Sequence, residues 1–420
     1  MSRDTDADGG LTRRDYLAYG GVTAAGGLLA GCSSGGDTDP AADSTEREDT
    51  PSQTATASPT GTEEPNGDAT EAEGTDTPAD TPYTVSVEPL GEFTFDRVPE
   101  RYVALDLMAA DIAHALGKPG LAAGPGDMNR WPTFFYDQLP GISFDKESAL
   151  ELYSGDSYDR EVFYEADPDV NLIDPNMGLS YMGLSEAELG QLAEDTGPFV
   201  TPFNTYIYAD WQEEHPTTIY EVFEQMSRVF REEEKYEAFA TLHDEFIADV
   251  QSQLPPQGER PAVALINAGS DVENGEFYPS TIATTGTAMK PYRDLKLNDA
   301  LADVEVTDGT FDYETMLEVD PEVIAVAWQI AVPDDEFEET FVDPFENDSI
   351  GQQLQAVQNG RVIKGQHLAQ GPVINLFQTA YVAKQYYPDV FGEWPDDGEV
   401  PQEEQLFDRQ RVVDIINGDL

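Results

Sequence analysis

Residues 158–170 read YDREVFYEADPDV, and 153 residues further on residues 311–323 read FDYETMLEVDPEV. The shared pattern is aromatic-Asp-x-Glu-x-x-x-Glu-x-Asp-Pro-acid-Val. No other feature constrains the fold as tightly, because the pattern writes three elements in order. Asp159 and Asp312 stand where a helix N-cap belongs, and Glu161 and Glu314 then fall in a first turn, favoured by the helix dipole. Asp-Pro ends the helix two turns later, since a residue before proline avoids helical ψ. The apolar runs DVNLID and EVIAVA follow as buried strands. Each copy therefore predicts a capped short helix, a sharp stop and a strand. In a chain with 83 acids among 420 residues, recurring acids alone mean little. The recurring Pro, Val and aromatic mean more, and they predict two lobes of one design.

Between the copies, residues 217–253 carry the longest helical pattern in the chain. Ile219, Val222, Phe223, Met226, Val229, Phe230, Phe239, Leu242, Phe246 and Val250 fall at helical spacing. Pro216 precedes the pattern, and Pro255 and Pro256 follow it. These 37 residues would span about 55 Å as one unbroken helix, enough for a strut across two lobes. Before the strut, YTVSVEPLGEFTFDRV reads as strands around a turn. RYVALD, LAAGPGD, DVNLID and FVTPF alternate with helical stretches such as AADIAHALG. After it, AVALINAG, EVIAVAWQ and RVIKGQHLA restart the alternation, and INLFQTAYVAKQYY reads as a late helix. The expected class is α/β: two Rossmann-like lobes, 83–216 and 256–420, joined by one long α-helix over 217–255, with a ligand cleft between the lobes.

Charge narrows the setting. The formal balance is 22 − 83 = −61, spread along the whole chain. Nucleic-acid binding is excluded as an expectation, because phosphate contacts need clustered Lys and Arg. Such self-repulsion opposes compaction unless salt screens it, and at molar salt the Debye length is about 3 Å. A halophilic setting follows. Cys32 is the single cysteine, so no internal disulfide forms. Arg13 and Arg14 precede a Gly/Ala-rich run that ends LLAGC at Cys32. This resembles a twin-arginine export signal over 1–31 closed by a lipobox, with Cys32 the lipidated residue. Residues 32–82 lack aromatics and read as a disordered acidic stalk behind that anchor. Its root-mean-square reach is roughly 40 Å.

The Pro-Asp-strand unit in each lobe, the single connecting helix, VPERYVALD at the start, AVQNGRVI late and YPDVF near the end together form a set. That set resembles the solute-binding proteins of iron-siderophore, haem and cobalamin ABC importers. The resemblance implies ligand held between two lobes, no cofactor and no enzymatic activity. It implies a monomer on the outer face of the membrane, working with a permease and an ATPase subunit. It also implies that one exposed glutamate per lobe, seven residues before the Pro of the unit, docks on permease arginines. Those positions are Glu161 and Glu314. A ferric siderophore is the first expectation for cargo, with cobalamin and haem kept open.

Ligands of α/β lobes gather beyond strand C-termini. The loops there carry Arg130, Trp131, Tyr206, Tyr278, Trp328 and His367, aromatic planes and one cation suited to a large conjugated anion. A bare-metal site would need several converging His and carboxylates, and the chain has four His. For an exported enzyme, Gly-x-Ser-x-Gly, His-Glu-x-x-His and a phosphate loop are all missing from the sequence. A stand-alone extracellular sensor would differ from an importer component only in its partner.

Overall fold

A computed structural model describes residues 81–420 except 127, 155, 156, 208, 307, 396 and 397. Arg13, Arg14, Cys32 and the stalk up to residue 80 lie outside the described residues. A hairpin of β1 (Tyr83–Val87) and β2 (Gly91–Phe95) comes first. It lies against the helix Ile219–Phe230: Tyr83 Oη donates to Val229 O, and the Arg231 guanidinium sits 4.6 Å from the Tyr83 ring centre. Then β3 (Tyr102–Ala104), β4 (Leu121–Gly124) and β5 (Leu150–Glu151) enter a parallel sheet. A small hairpin, β6 (Tyr153–Ser154) and β7 (Ser157–Tyr158), leads into the first repeated unit, whose strand is β8 (Val170–Leu172). The order is β5-β4-β3-β8. The second sheet is built from β9 (Ala262–Ile266), β10 (Asn298–Asp299), β11 (Val323–Val326) and β12 (Val362–Lys364), in the order β10-β9-β11-β12, again parallel.

Both sheets put their first strand in the middle. The second strand lies on one side, and the strand of the repeated unit, β8 or β11, on the other. They differ at the edges: β5 extends the first sheet beyond β4, and β12 extends the second beyond β11.

The repeat folds as read, with two changes. Its helices are Glu161–Ala166 and Tyr313–Val319. Asp312 is the N-cap and accepts from Thr315 N at 2.9 Å, whereas Asp159 stands one residue before the N-cap, Arg160, and accepts from Glu161 N at 2.9 Å, so the expected cap forms only in the second copy. The stop before Pro is left-handed rather than extended, with Asp167 at φ 44° and Asp320 at φ 42°. Their amides return to Phe163 O and Met316 O and close the helices. The acid after Pro has a role that the pattern alone did not reveal. Asp169 accepts from Arg101 N at 3.0 Å and donates its own N–H to Arg101 O at 2.8 Å. Glu322 accepts from Ala262 N at 2.9 Å and donates its N–H to Ala262 O at 3.0 Å. In each half this acid stitches the repeated unit to the start of the sheet's first strand.

Strand alternation sorts the core into layers. Tyr102 and Ala104 face the same apolar layer as Val263 and Leu265, whereas Val103 belongs to an outer cluster on one side and Ala264 and Ile266 to another. The shared middle layer holds the helix Leu107–Ala115, buried along its whole length, and most of the helix Pro372–Tyr386. The C-terminal helix Arg409–Asn417 packs there too.

The single long connecting helix is not present. Helix Ile219–Phe230 ends at Arg231, which is left-handed at φ 55°, and helix Glu233–Gln253 folds back along it. Phe223 meets Tyr236 and Phe239 at ring-centre distances of 5.5 and 5.7 Å, and Tyr220 meets His243 at 4.3 Å. The reason lies in the stretch REEEKYEA, residues 231–238. It offers little to bury between Phe230 and Phe239, so a straight rod would leave both apolar faces short of partners. Doubling back covers one with the other. The link between the sheets is a helical hairpin, and its longer arm spans about 32 Å.

Candidate functional site

Three of the sequence-selected residues converge beyond the strand ends of both sheets. The chain leaves β4 and turns through Met128–Arg130. Lys146 clamps that turn, its Nζ donating to Trp131 O at 3.1 Å and Asn129 O at 3.4 Å. Beyond β11, Trp328 adopts a left-handed backbone at φ 69°. For a bulky residue this conformation costs roughly 1–3 kcal/mol and is typical of functional positions. It is held by Trp328 N donating to Gln366 O at 2.8 Å. Beyond β12 comes His367, set edge-on to Trp328 with ring centres 4.5 Å apart. Arg130 closes the cluster, its Nη2 lying 3.7 Å from Glu336 Oε1 on the far sheet's loop.

Electrostatics fix the state of His367. Burial, and then the nearby cations Lys146 and Arg130, push its pKa down to about 4 despite an opposing bond to Ala369 O. The imidazole is neutral at ordinary pH. Its Nδ1 lies 2.8 Å from that carbonyl and must carry the proton, because a carbonyl only accepts. The chemistry on offer is a cation, an indole plane and an imidazole with its lone pair on Nε2.

The other expected residues are placed differently. Trp131 is 3% exposed and packs edge-on to Phe144 in the middle layer, so its ring is a core element. Tyr206 is half-buried on a loop held by Gln212, whose Nε2 donates to Phe203 O and Tyr206 O. That loop joins the far sheet's segment: Thr287 N donates to Asn204 O at 3.0 Å and Ala288 N to Thr205 O at 3.1 Å. Gly286, at φ +107°, permits the approach, since a Cβ there would meet Asn204 O and Thr205 O at 2.7 Å. Ala288 O in turn accepts from Gln366 Nε2 at 2.7 Å, which ties the Tyr206 loop to the residue before His367. Tyr278, half-buried just past β9, is held through its backbone by Asn267 and Ser270.

Sequence reading missed the amide network below His367. Gln378 accepts from His367 N at 2.7 Å and donates to His367 O at 3.0 Å and to Gln370 Oε1 at 3.1 Å. Asn375 also donates to Gln370. All three are fully buried. The signal was visible: Asn375 and Gln378 interrupt the apolar first half of the helix, and buried amides need partners. Asp111 was missed too. It is fully buried, accepts from Tyr136 Oη and from Ile374 N at 3.1 Å, and so joins the helix Leu107–Ala115 to the start of Pro372–Tyr386. Burial pushes its pKa up to about 7, although its hydrogen bonds oppose the rise.

Glu161 and Glu314 occupy equivalent places in the first turns of the repeated helices, and both side chains are exposed. Among the described residues neither makes an ion pair. Asp174 and His215 form a separate buried pair, His215 Nε2 lying 2.7 Å from Asp174 Oδ2, which also accepts from Phe203 N. Among the described residues no group of three or more His, Cys, Asp or Glu is arranged to hold a metal ion, and no helix is long and apolar enough to cross a membrane.

A family model described as "Periplasmic binding protein" matches residues 103–367. No curated protein matches by sequence. Solved structures share the fold at low identity. The iron uptake ABC transporter substrate-binding protein PiuA of Streptococcus pneumoniae is 18% identical, with TM-score 0.51, covering 72% of this chain and 98% of its own. The triscatecholate siderophore binding protein FeuA of Bacillus subtilis, solved with ferri-bacillibactin, is 14% identical, with TM-score 0.51, covering 74% and 99%. A periplasmic binding protein of Veillonella parvula is 16% identical, with TM-score 0.50, covering 74% and 92%.

Proposed function

The chain belongs to the periplasmic binding protein family, and we propose that it is the extracellular solute-binding component of an ABC importer, with a ferric siderophore or similar iron chelate as cargo. The observation that carries this reading is the Trp328–His367 pair beyond the second sheet's strands, with Arg130 from the first sheet near enough for its charge to act on His367. A guanidinium and an indole plane suit a conjugated anion, through charge and cation–π or stacking contacts. The names of the similar structures point the same way, towards iron uptake and a catecholate siderophore. Tyr206 and Tyr278 would line the cleft between lobes 83–216 and 256–420, while Trp131 would support the Arg130 turn from beneath.

The permease and its ATPase are the partners in this reading. Glu161 and Glu314 are the docking points, because an exposed carboxylate on a rigid first turn can take a bidentate arginine contact. Such short-range pairs keep value in molar salt, where long-range steering is lost. Arg13 and Arg14 would direct export, and Cys32 would carry the lipid that holds the monomer at the membrane. A haem reading is kept for one reason: the neutral imidazole of His367 is chemically an axial ligand.

The test is quenching of tryptophan fluorescence in molar KCl against ferric catecholates, ferric hydroxamates, haem and cobalamin. Saturable quenching by a ferric chelate, weakened at least about tenfold in R130Q, is the expected result. Quenching by cobalamin alone would overturn the siderophore reading. A Soret shift on haem addition that disappears in H367A would replace it with the haem reading.

A further inference from the structure

The ion pair between Arg130 and Glu336 joins loops that belong to different sheets. Glu336 is not a loose surface acid. The turn that carries it, Asp334–Phe337, begins where Lys364 pairs with Asp334 and donates to Val332 O at 2.5 Å. Phe337 and Phe341 are buried and pin the next turns. The segment continues as a π-helical stretch, Glu338–Val342, a rare geometry frequent at functional sites. The carboxyl is thus delivered to Arg130 by an anchored scaffold, while its side chain stays about half exposed at 55%. Arg130 also comes from an anchored turn, clamped by Lys146. Lys146 itself is committed to backbone carbonyls, which leaves Arg130 as the cation on which a ligand's negative charge would land.

We propose that Glu336 is a built-in competitor of the cargo for Arg130, and so a specificity residue of the cleft. The inference rests on the reading above that the cleft takes an anionic chelate. A ligand with a single weak negative charge gains little at Arg130, because it replaces a carboxylate already there. A chelate that spreads several charges over a conjugated surface displaces Glu336 and still keeps its stacking on Trp328. A neutral chelate gains nothing from Arg130 and has no reason to displace the acid. Glu336 therefore sets a threshold of negative charge for entry. The pair is 3.7 Å long, with its acid half exposed. Its effect is a graded one, on the order of three- to tenfold in affinity.

The experiment uses the full chain in molar KCl and two probes of equal size class. One is the trianionic iron(III) tris-catecholate, kept in excess catechol, the other the neutral iron(III) tris-acetohydroxamate. E336Q should bind the trianion about three- to tenfold more tightly and leave the neutral probe unchanged. R130Q should weaken the trianion, and R130Q/E336Q should match R130Q, because the acid acts through the arginine. The proposal falls if E336Q binds the trianion no better than wild type. It falls equally if E336Q still tightens binding in the R130Q background. If wild type takes neither probe, the chelate reading fails separately. The pair is then judged by melting temperatures of the same four proteins, where non-additive shifts support the contact and strictly additive ones overturn it.

Discussion

The two repeated units share a backbone design but are secured by different chemistry. In the first, charge does the work. Asp169 accepts from Glu100 N and Arg101 N and takes Arg97 Nη2 at 2.5 Å. Arg101 Nη2 donates to Ala166 O at 2.6 Å, a cation at a helix C-terminus. In the second, Glu322 accepts a single backbone N–H, and a neutral amide replaces the arginine: Gln355 Nε2 donates to Asp320 O at 2.5 Å, and Gln355 N to Asp320 Oδ1 at 2.8 Å. The geometry is fixed by the left-handed stop and by the acid after Pro. The partner that covers the helix end is interchangeable. A chain with only 22 basic residues spends two of them, Arg97 and Arg101, on the first copy.

The largest break in this comparison should come from removing the acid after Pro. D169A should cost about 3 kcal/mol, because two amide bonds to a charged acceptor and an ion pair are lost together, and E322A about half of that. Denaturation midpoints in molar KCl measure both. Equal costs would mean that Arg97 and Glu100 contribute nothing to the first copy.

A smaller effect separates the two halves by pH. Asp111 is raised from 3.8 to about 7, so between those values the folded chain holds a proton that the unfolded chain has released. Its contribution to stability therefore falls as pH rises through that window. His367 is lowered from 6.5 to about 4, so the unfolded chain takes up its proton first and the contribution is lost as pH falls from 6.5 to 4. Between pH 7 and 5 the melting-temperature gap between wild type and D111N should move in favour of wild type on acidification. The gap between wild type and H367Q should move the other way. Parallel gaps would contradict the assigned charge states.

The smallest contrast lies at the stops themselves. Asp167 and Asp320 are both left-handed, where glycine is easier by about 1 kcal/mol. D167G should stabilise by up to about that amount. D320G should be near neutral, since it gives up the bond from Gln355 N, worth about 1 kcal/mol. A gain in both would show that the Asp320 carboxyl is idle.

Much of this was legible in the residues. The short helix, its end at Asp-Pro and the strand after it follow from local rules and hold in both copies, and the capping acid holds in the second. The sheet class followed from alternation of short apolar runs. What was not legible required knowing what packs on what. Arg231 breaks the long helix because two amphipathic faces prefer each other to solvent, and helical periodicity is blind to that choice. Trp131 sits in a loop that sequence marks as ligand-facing, yet Phe144 and the middle layer claim it. The buried amides of Gln370, Asn375 and Gln378 were visible as polar letters in an apolar run, but their target, the His367 backbone, comes from the loop just before that run. The acid after Pro looked like one more acid among 83 until its partner strand was known.

Each copy of the repeated unit exposes one glutamate in its first helical turn. We propose that Glu161 and Glu314 are held in equivalent first turns so that a permease can read both halves at once. Iron uptake by cells carrying E161Q/E314Q, measured beside chelate binding by the purified double variant in molar KCl, tests this most directly. The prediction is unchanged chelate affinity with uptake lost. Undiminished uptake, with binding intact, would contradict it.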